Sequence, residues 1–292
     1  MKGRPPDAPT APTAPIAPPT APGEAERFLL EFHARHPGAT ARAFGRGRIA
    51  DGRSTYELLA DLPAVGQRVL DLGCGDGLLL ELLIARGHAP GALAGIDLSP
   101  DELAAARRRP ALAEVALTCE AAQALSAPDR AHGAVLSHLA FMLMTDLDRV
   151  LAEVARVLTP GGLFATIVGG GPGPGDAFER FLELLAAATA DLGHRAPRLG
   201  DRRARDALGL SPLLRAAGFD RIEEDALAVR LDGTADQVWD GLASAYELAV
   251  VPDDRIAALR ARFLAEAAPL ADPAGAVPCT MRVRCIRARR AD

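Results

Sequence analysis

The pattern of apolar runs predicts an α/β fold: a doubly wound, mostly parallel, seven-stranded sheet with helical inserts. Two observations predict it. Between residues 69 and 168 short buried runs alternate with amphipathic segments, and glycine-rich turns follow several of those runs. A third observation bounds it: 292 residues, 49 % apolar and 24 % charged, suffice for one large domain with an ample core.

Residues 1–23 carry eight prolines at near-triplet spacing, so they are expected to stay disordered and extended. They lack the apolar segment of a signal peptide. AERFLLEFHARH, from Ala25, places Phe28, Leu29 and Phe32 at helical spacing, and RSTYELLADL (53–62) predicts a second short helix. The first strand is VLDL (69–72), followed by a helix over 77–86. ALAGIDL (92–98) is the second strand. Ser99 and Pro100 then open a helix as N-cap and first-turn proline. EVALTC (114–119) and GAVLSHL (133–139) are the third and fourth strands. Asp146 caps a helix whose Leu147, Val150, Leu151, Val154 and Val157 share one face, and LFATIV (163–168) is the fifth strand.

The alternation then changes. GGGPGPG (169–175) predicts a loop, and Phe178, Phe181 and Leu185 mark a helix with no strand after it. A helix at 211–217 and a strand at 221–231 resume the pattern. Helices near 234–249 and 253–267 precede a last strand, 279–287. One Rossmann-like domain, residues 24–292, is therefore expected, with an N-terminal helical lid (24–64) and inserts at 175–208 and 232–270.

Composition excludes several chemistries. Lys2 is the only lysine, so a phosphate-gripping or Schiff-base lysine in a folded core is ruled out. There is no asparagine, hence no N-glycosylation sequon. The net charge of −5 argues against a protein that tracks nucleic-acid phosphates. No run of about 18 apolar residues is present, so no membrane-spanning helix is expected. Cys74, Cys119, Cys279 and Cys285 show no zinc spacing and read as reduced thiols in the cytoplasm; no metal is expected.

The informative stretch is Val69-Leu70-Asp71-Leu72-Gly73-Cys74-Gly75-Asp76-Gly77. A buried strand runs into a glycine-rich turn where Gly73 and Gly75 let a ligand lie against the backbone, and a helix N-terminus follows. Asp97, twenty residues beyond Gly77, ends the second strand, where a carboxylate accepts from both hydroxyls of a ribose. The Gly-x-Gly-x-Gly spacing differs from that of dinucleotide folds. Asp71 would repel a phosphate and favour an ammonium or sulfonium, which points to a cationic nucleoside.

VLDLGCGDG (69–77), GIDLSPDELAAAR (95–107) and VLSHLAFMLMTDLDRVLAEVARVLTPGG (135–162) together resemble the class I S-adenosylmethionine-dependent methyltransferases, in the small-molecule branch that includes the quinone-biosynthesis methyltransferases. The resemblance covers residues 65–168, and more loosely 210–231. It implies S-adenosylmethionine as cofactor. Asp71, Gly73 and Gly75 would line its methionine and ribose end, Asp97 the ribose hydroxyls, and Leu98 the adenine. Ser137 and His138 would face the methionine moiety and the methyl group, with His138 either a general base or a partner of the cofactor's carboxylate.

The chain departs from the family twice. After the third strand the usual acid that reads the adenine amino group is displaced; either Glu120 reaches it, or backbone groups beside Ala122 and Gln123 do. Where many relatives carry paired histidines there are Met142 and Leu143, giving with Phe141 and Met144 an apolar wall suited to a hydrophobic or aromatic acceptor. Tyr56, His33, His36 and Arg46 fall in the lid, and Trp239 and Tyr246 in the insert that relatives use for the acceptor. The resemblance thus implies methyl transfer to O, N or C of a small metabolite of secondary metabolism. A cofactor-bound enzyme of cyclisation or rearrangement, and a tRNA or protein methyltransferase, are the alternatives. Oligomeric state is left open.

Overall fold

The computed structural model describes residues 22–192, 197–206 and 209–292. Seven strands form one sheet: β1 (Val69–Leu72), β2 (Leu93–Asp97), β3 (Ala116–Cys119), β4 (His132–His138), β5 (Leu158–Pro172), β6 (Phe219–Arg230) and β7 (Thr280–Arg290). Their order is β3-β2-β1-β4-β5-β7-β6. β1 to β5 run parallel, and β7 is antiparallel to both β5 and β6. The chain winds outward through β2 and β3, then returns to add β4 and β5 on the other side of β1. The crevice at the carboxyl ends of β1 and β4 is therefore where such a sheet opens for a ligand.

β1 is buried at all four residues, as a central parallel strand with both faces covered must be. One face packs on α3 (Thr55–Ala60), α4 (Leu78–Ala85) and α5 (Pro100–Arg107) through Leu59, Leu80, Leu83 and Leu103. The other packs on α6 (Leu147–Val157) and α8 (Leu210–Ala216) through Val150, Leu151, Val154 and Leu214. The caps follow the sequence: the Ser99 side chain accepts from the Glu102 amide and Asp146 from that of Arg149. Glu153 of α6 is buried, accepts from the Leu125 amide at 2.7 Å and pairs with Arg156. Arg156 donates to the Leu125 and Ala127 carbonyls, so this unit clamps the chain after β3.

α7 (Ala177–Thr189), α9 (Ala235–Leu242) and α10 (Asp253–Ala267) pack around a separate apolar cluster that includes Phe181, Trp239 and Phe263. Both inserts thus contribute to one helical cap on the sheet. N-terminal to the sheet lie α1 (Glu24–Arg35) and α2 (Ala39–Phe44), a short helix that the apolar spacing does not reveal. Up to residue 21 the proline-rich tail lies outside the described residues, as do 193–196 and 207–208 of the first insert. Among the described residues no helix is long and apolar enough to cross a membrane, and no acid, histidine or cysteine cluster could hold a metal ion.

Two expectations need correction. The glycines at 169–171 belong to β5 and not to a loop, because β7 supplies an antiparallel partner from Leu163 to Pro172 with a register shift between Gly169 and Gly171. The helix expected over 234–249 ends at Leu242. Ala245 is extended, and a 3-10 turn follows at Tyr246–Val250. The arginines of β7 meet acids on β6: Arg287 lies 3.2 Å from Glu223 and 2.6 Å from Asp225, and Arg284 lies 3.1 Å from Glu224.

Phe164, fully buried at the middle of β5, meets Phe141 edge to face at 5.4 Å and Phe219 at 5.9 Å. Phe164→Ala is expected to cost about 3–5 kcal/mol in urea unfolding. Phe164→Leu, nearer in volume, should cost about 1.5 kcal/mol or less.

Candidate functional site

The turn after β1 folds back on β2: the Gly73 and Cys74 amides both donate to the Ile96 carbonyl, at 2.9 and 2.8 Å. Gly73 sits at φ +76°, and a Cβ there would lie 2.4 Å from that of Ala140, so only glycine lets the turn approach the end of β4 this closely. The carboxylate of Asp97 is fixed from both sides. Its Oδ2 accepts from the Gly75 amide and its Oδ1 from the Ser99 amide, each at 2.8 Å. Each oxygen keeps a lone pair for a further donor. Burial raises this carboxyl above the ordinary range, although the two amides oppose the shift.

Asp71 is the more exposed problem energetically and the less exposed residue physically. It is 1 % accessible, and its Oδ2 has no hydrogen-bond partner. Burial first, then the charges of Asp97 and Asp76, push its carboxyl well above the usual value. A buried carboxylate without a partner is costly. A cation beside it would restore the ionised form.

Two small clefts meet across this turn. One is lined by Asp97, Leu98, Glu120, Ala122, Gln123 and Met144, with Leu29, Leu30 and His33 of α1 above them. The other is lined by Asp71, Gly75, Tyr56, His138, Leu139 and Tyr246. They share His33, Gly73, Asp97, Ala140 and Leu143. Beyond them a cavity of about 770 Å³ opens among Phe44, Met142, Phe178, Leu242 and Arg205. It shares Thr40, Leu139, Leu143 and Tyr246 with the second cleft.

The N-terminal segment is held over the clefts by a latch. His33 Nδ1 lies 2.7 Å from Glu102 Oε1, and His33 Nε2 lies 3.1 Å from the Tyr246 hydroxyl. The Gly38 amide donates to both Glu102 oxygens at 2.9 Å. Glu102 escapes a reading of the sequence because an acid three residues after Ser99 looks like ordinary helix capping. Its side chain instead joins the N-terminal segment to the first turn of α5. Thr55 is also missed; in sequence it is the first residue of a short helix.

His138 is buried, with Nε2 at 2.8 Å from the Thr55 hydroxyl and its ring stacked on Tyr56 at 3.5 Å. Burial lowers its pKa to about 3. A ring so desolvated favours the neutral form at pH 7 and makes a weak base. Ser137 does not face the clefts. Its hydroxyl donates to the Leu72 carbonyl at 2.8 Å and accepts from the Phe141 amide at 3.2 Å, tying β4 to β1. Phe141 packs inward on Phe164 and is fully buried, and Trp239 lies in the core of the helical cap; neither lines the cavity. The broken helix explains the second case: Trp239 stays on α9 while Tyr246, after the break, turns to His33. Glu120 lines the first cleft, but its Oε2 accepts from the Ser126 amide at 3.1 Å, and Gln123 Nε2 donates to the Thr145 carbonyl at 2.7 Å. Of the other lid residues, His36 stacks near Phe32 at 5.1 Å, and Arg46 lines none of the three spaces.

A glycine turn between β1 and a helix, a fixed carboxylate ending β2, and the 3-2-1-4-5-7-6 sheet define the class I methyltransferase fold. Residues 69–162 match the methyltransferase domain family, so the chain carries a methyltransferase domain of the class I S-adenosylmethionine-dependent type. A fatty-acid O-methyltransferase of Mycolicibacterium smegmatis is 41 % identical over 109 residues, 37 % of this chain and 39 % of that protein. The ribosomal RNA small subunit methyltransferase C of Chromohalobacter salexigens is 34 % identical over 149 residues, 48 % of this chain and 41 % of that one. The chain thus spans about two fifths of these relatives' length. Among solved structures, the Haemonchus contortus phosphoethanolamine N-methyltransferase 2 in complex with S-adenosyl-L-methionine superposes with a TM-score of 0.56. It is 18 % identical and covers 94 % of this chain and 61 % of that one.

S-Adenosylmethionine is the cofactor of this fold, and the residues present fit it. The orphaned oxygen of Asp71 and the free lone pairs of Asp97 lie on walls of adjoining clefts, as a ligand with a cation and two hydroxyls requires. The raised Asp71 carboxyl gives a signed expectation. The cofactor's ammonium favours the ionised form, so affinity should fall as pH drops through the raised value, and binding should release a proton. Calorimetry in buffers of different ionisation enthalpy measures that release. Asp71→Asn should weaken binding at least about tenfold and abolish the proton release. It should also raise the unfolding temperature of the ligand-free protein at neutral pH, because folding there must either bury an ionised Asp71 or take up a proton to neutralise it.

Proposed function

We propose that this chain transfers the methyl group of S-adenosylmethionine to a small, largely apolar acceptor held in the 770 Å³ cavity. The observation that carries the reading is adjacency: the cavity and the cleft beside Asp71 share Leu139, Leu143 and Tyr246. The relatives' names include a fatty acid and a ribosomal RNA, so the shared motifs do not choose the acceptor. The largely apolar lining of the cavity and the net charge of −5 favour a metabolite over RNA. Four unpaired cysteines, one of them exposed, accord with a cytoplasmic setting.

Bound S-adenosylmethionine supplies an electrophilic methyl group on a sulfonium. Asp97 would accept from the ribose hydroxyls, and Asp71 would face the ammonium. Leu98 and Ala122 would flank the adenine. Its amino edge would meet Glu120 or the backbone near Gln123 once their present hydrogen bonds rearrange. Met142, Leu143 and the α1 lid exclude water, which favours a transition state of dispersed charge. His138 positions: Thr55 and the Tyr56 ring fix its imidazole at the methionine end, and its low pKa withholds it from taking the acceptor's proton.

Asp97→Ala should weaken both S-adenosylmethionine and S-adenosylhomocysteine at least about tenfold by calorimetry. Protein incubated with methyl-labelled cofactor and a metabolite extract should put label into the small-molecule fraction. Label in total RNA or protein would overturn the acceptor class, and product formed without cofactor consumption would replace methyl transfer by rearrangement.

A further inference from the structure

The large cavity carries a charge that an apolar acceptor leaves unanswered. Arg198, Arg202 and Arg205 line it, against the single carboxylate of Glu247. Among the described residues no carboxylate pairs with any of the three, and Arg205 donates only to the Leu199 carbonyl, at 2.9 Å. Arg203, on the same segment but outside the cavity wall, is paired with Asp148 and Asp201, each at 2.7 Å. Arg198, Arg202 and Arg205 are all exposed; at Arg205 partial burial lowers the pKa, and the charge of Glu247 opposes that shift. A cation in that setting gains from an anion.

The segment bearing these arginines is fixed against the wall between cavity and cofactor cleft. The Asp201 amide donates to the Met144 carbonyl at 3.1 Å. Gly200 lies so close to Met142 that a Cβ would sit 2.1 Å from its carbonyl oxygen. The segment is therefore fixed beside Met142 and Leu143, and its three exposed arginines line the same cavity as those residues.

A second observation concerns proton transfer. Among the described residues, the candidate bases on these walls are bonded or shifted away from neutral pH. Both ring nitrogens of His33 are engaged by Glu102 and Tyr246; His138 Nε2 is bonded to Thr55, its buried Nδ1 has no partner, and burial lowers its pKa to about 3; and burial raises both Tyr56 and Tyr246. Asp71 and Asp97 belong to the cofactor. The acceptor must bring a nucleophile that is already deprotonated at neutral pH.

We propose that the acceptor is an organic acid, with an apolar body against Phe44, Met142 and Phe178 and a carboxylate held by Arg198, Arg202 and Arg205, and that this carboxylate is methylated. The proposal rests on the methyl-transfer reading of the cavity. A lone pair of one carboxylate oxygen forms the O–CH3 bond, the S–CH3 bond breaks, and its electron pair stays on sulfur. The carboxylate and sulfonium charges cancel, the products are a methyl ester and S-adenosylhomocysteine, and no proton moves.

The test pairs decanoate and cinnamate with their primary amides, which keep the shape and lose the charge. Calorimetry on the protein loaded with S-adenosylhomocysteine should show the acids binding at least about tenfold more tightly than the amides. Arg202→Gln and Arg205→Gln should each remove most of that preference without changing cofactor affinity; Arg203→Gln should not alter it. With methyl-labelled cofactor, label on the acids should be released as methanol by alkali. Equal binding of acids and amides, failure of the acids to bind, or label that survives alkali would each overturn the proposal. Acid binding that the glutamine variants abolish, with no label transferred, would instead sink the methyl-transfer reading and the ester step, and leave the anion site standing.

Discussion

Two carboxylates at the ends of adjacent strands, Asp71 buried and Asp97 half-buried, set the terms for the rest of this molecule. Asp97 is tolerable because the Gly75 and Ser99 amides donate to it, and those amides are available only because the glycine turn folds back onto β2. Asp71 has no such relief for one of its oxygens. On a central strand that buries every residue, this carboxylate meets only the narrow cleft beside it, where a bound cation would offset its burial. The site is built at the expense of the ligand-free fold, as sites with raised carboxyl groups are.

The surrounding elements follow from keeping that region dry and closed. The N-terminal segment, the first turn of α5 and the turn at Tyr246 meet in one chain of contacts, Gly38 to Glu102 to His33 to Tyr246. Three parts of the chain separated by up to 213 positions thereby share a single hydrogen-bonded junction over the cofactor clefts. The helical cap has its own apolar cluster, distinct from the two that sandwich the sheet. It can present Tyr246 and line the cavity without borrowing packing from the sheet. Residues next to the chemistry are accordingly committed to structure: Ser137 ties β4 to β1, and His138 is fixed by Thr55 and Tyr56.

Much of the fold was legible in the residues themselves. VLDL, ALAGIDL and the Leu147–Val157 face are periodic and bounded by glycine, serine and aspartate, and the structure places those elements within a residue or two. What was misread depended on partners distant in sequence. Three consecutive glycines read as a loop until β7 lies alongside them, and the 234–249 segment reads as one helix until the pull of two different clusters on Trp239 and Tyr246 breaks it. The candidate site divides in the same way. Asp71, Gly73, Gly75 and Asp97 are spaced within one strand-turn-helix-strand unit, so their meeting is local. Phe141, Ser137 and Trp239 have suitable chemistry at plausible positions, but packing turns them inward.

The sequence by itself determined the alternation of strands and helices, the glycine turn, the acids at the ends of two strands, and a chain without lysine chemistry. These depend on periodicity and on neighbours a few residues away. Only the tertiary structure decided that one Asp71 oxygen has no hydrogen-bond partner, that Glu102 ties the N-terminal segment to α5, that Thr55 bonds a His138 ring whose pKa burial lowers, and that three arginines with no carboxylate partner among the described residues line the large cavity. Each of those is a statement about which groups share a space and how much water reaches it. Burial and pairing arise from contacts across many tens of residues, and no local pattern encodes them.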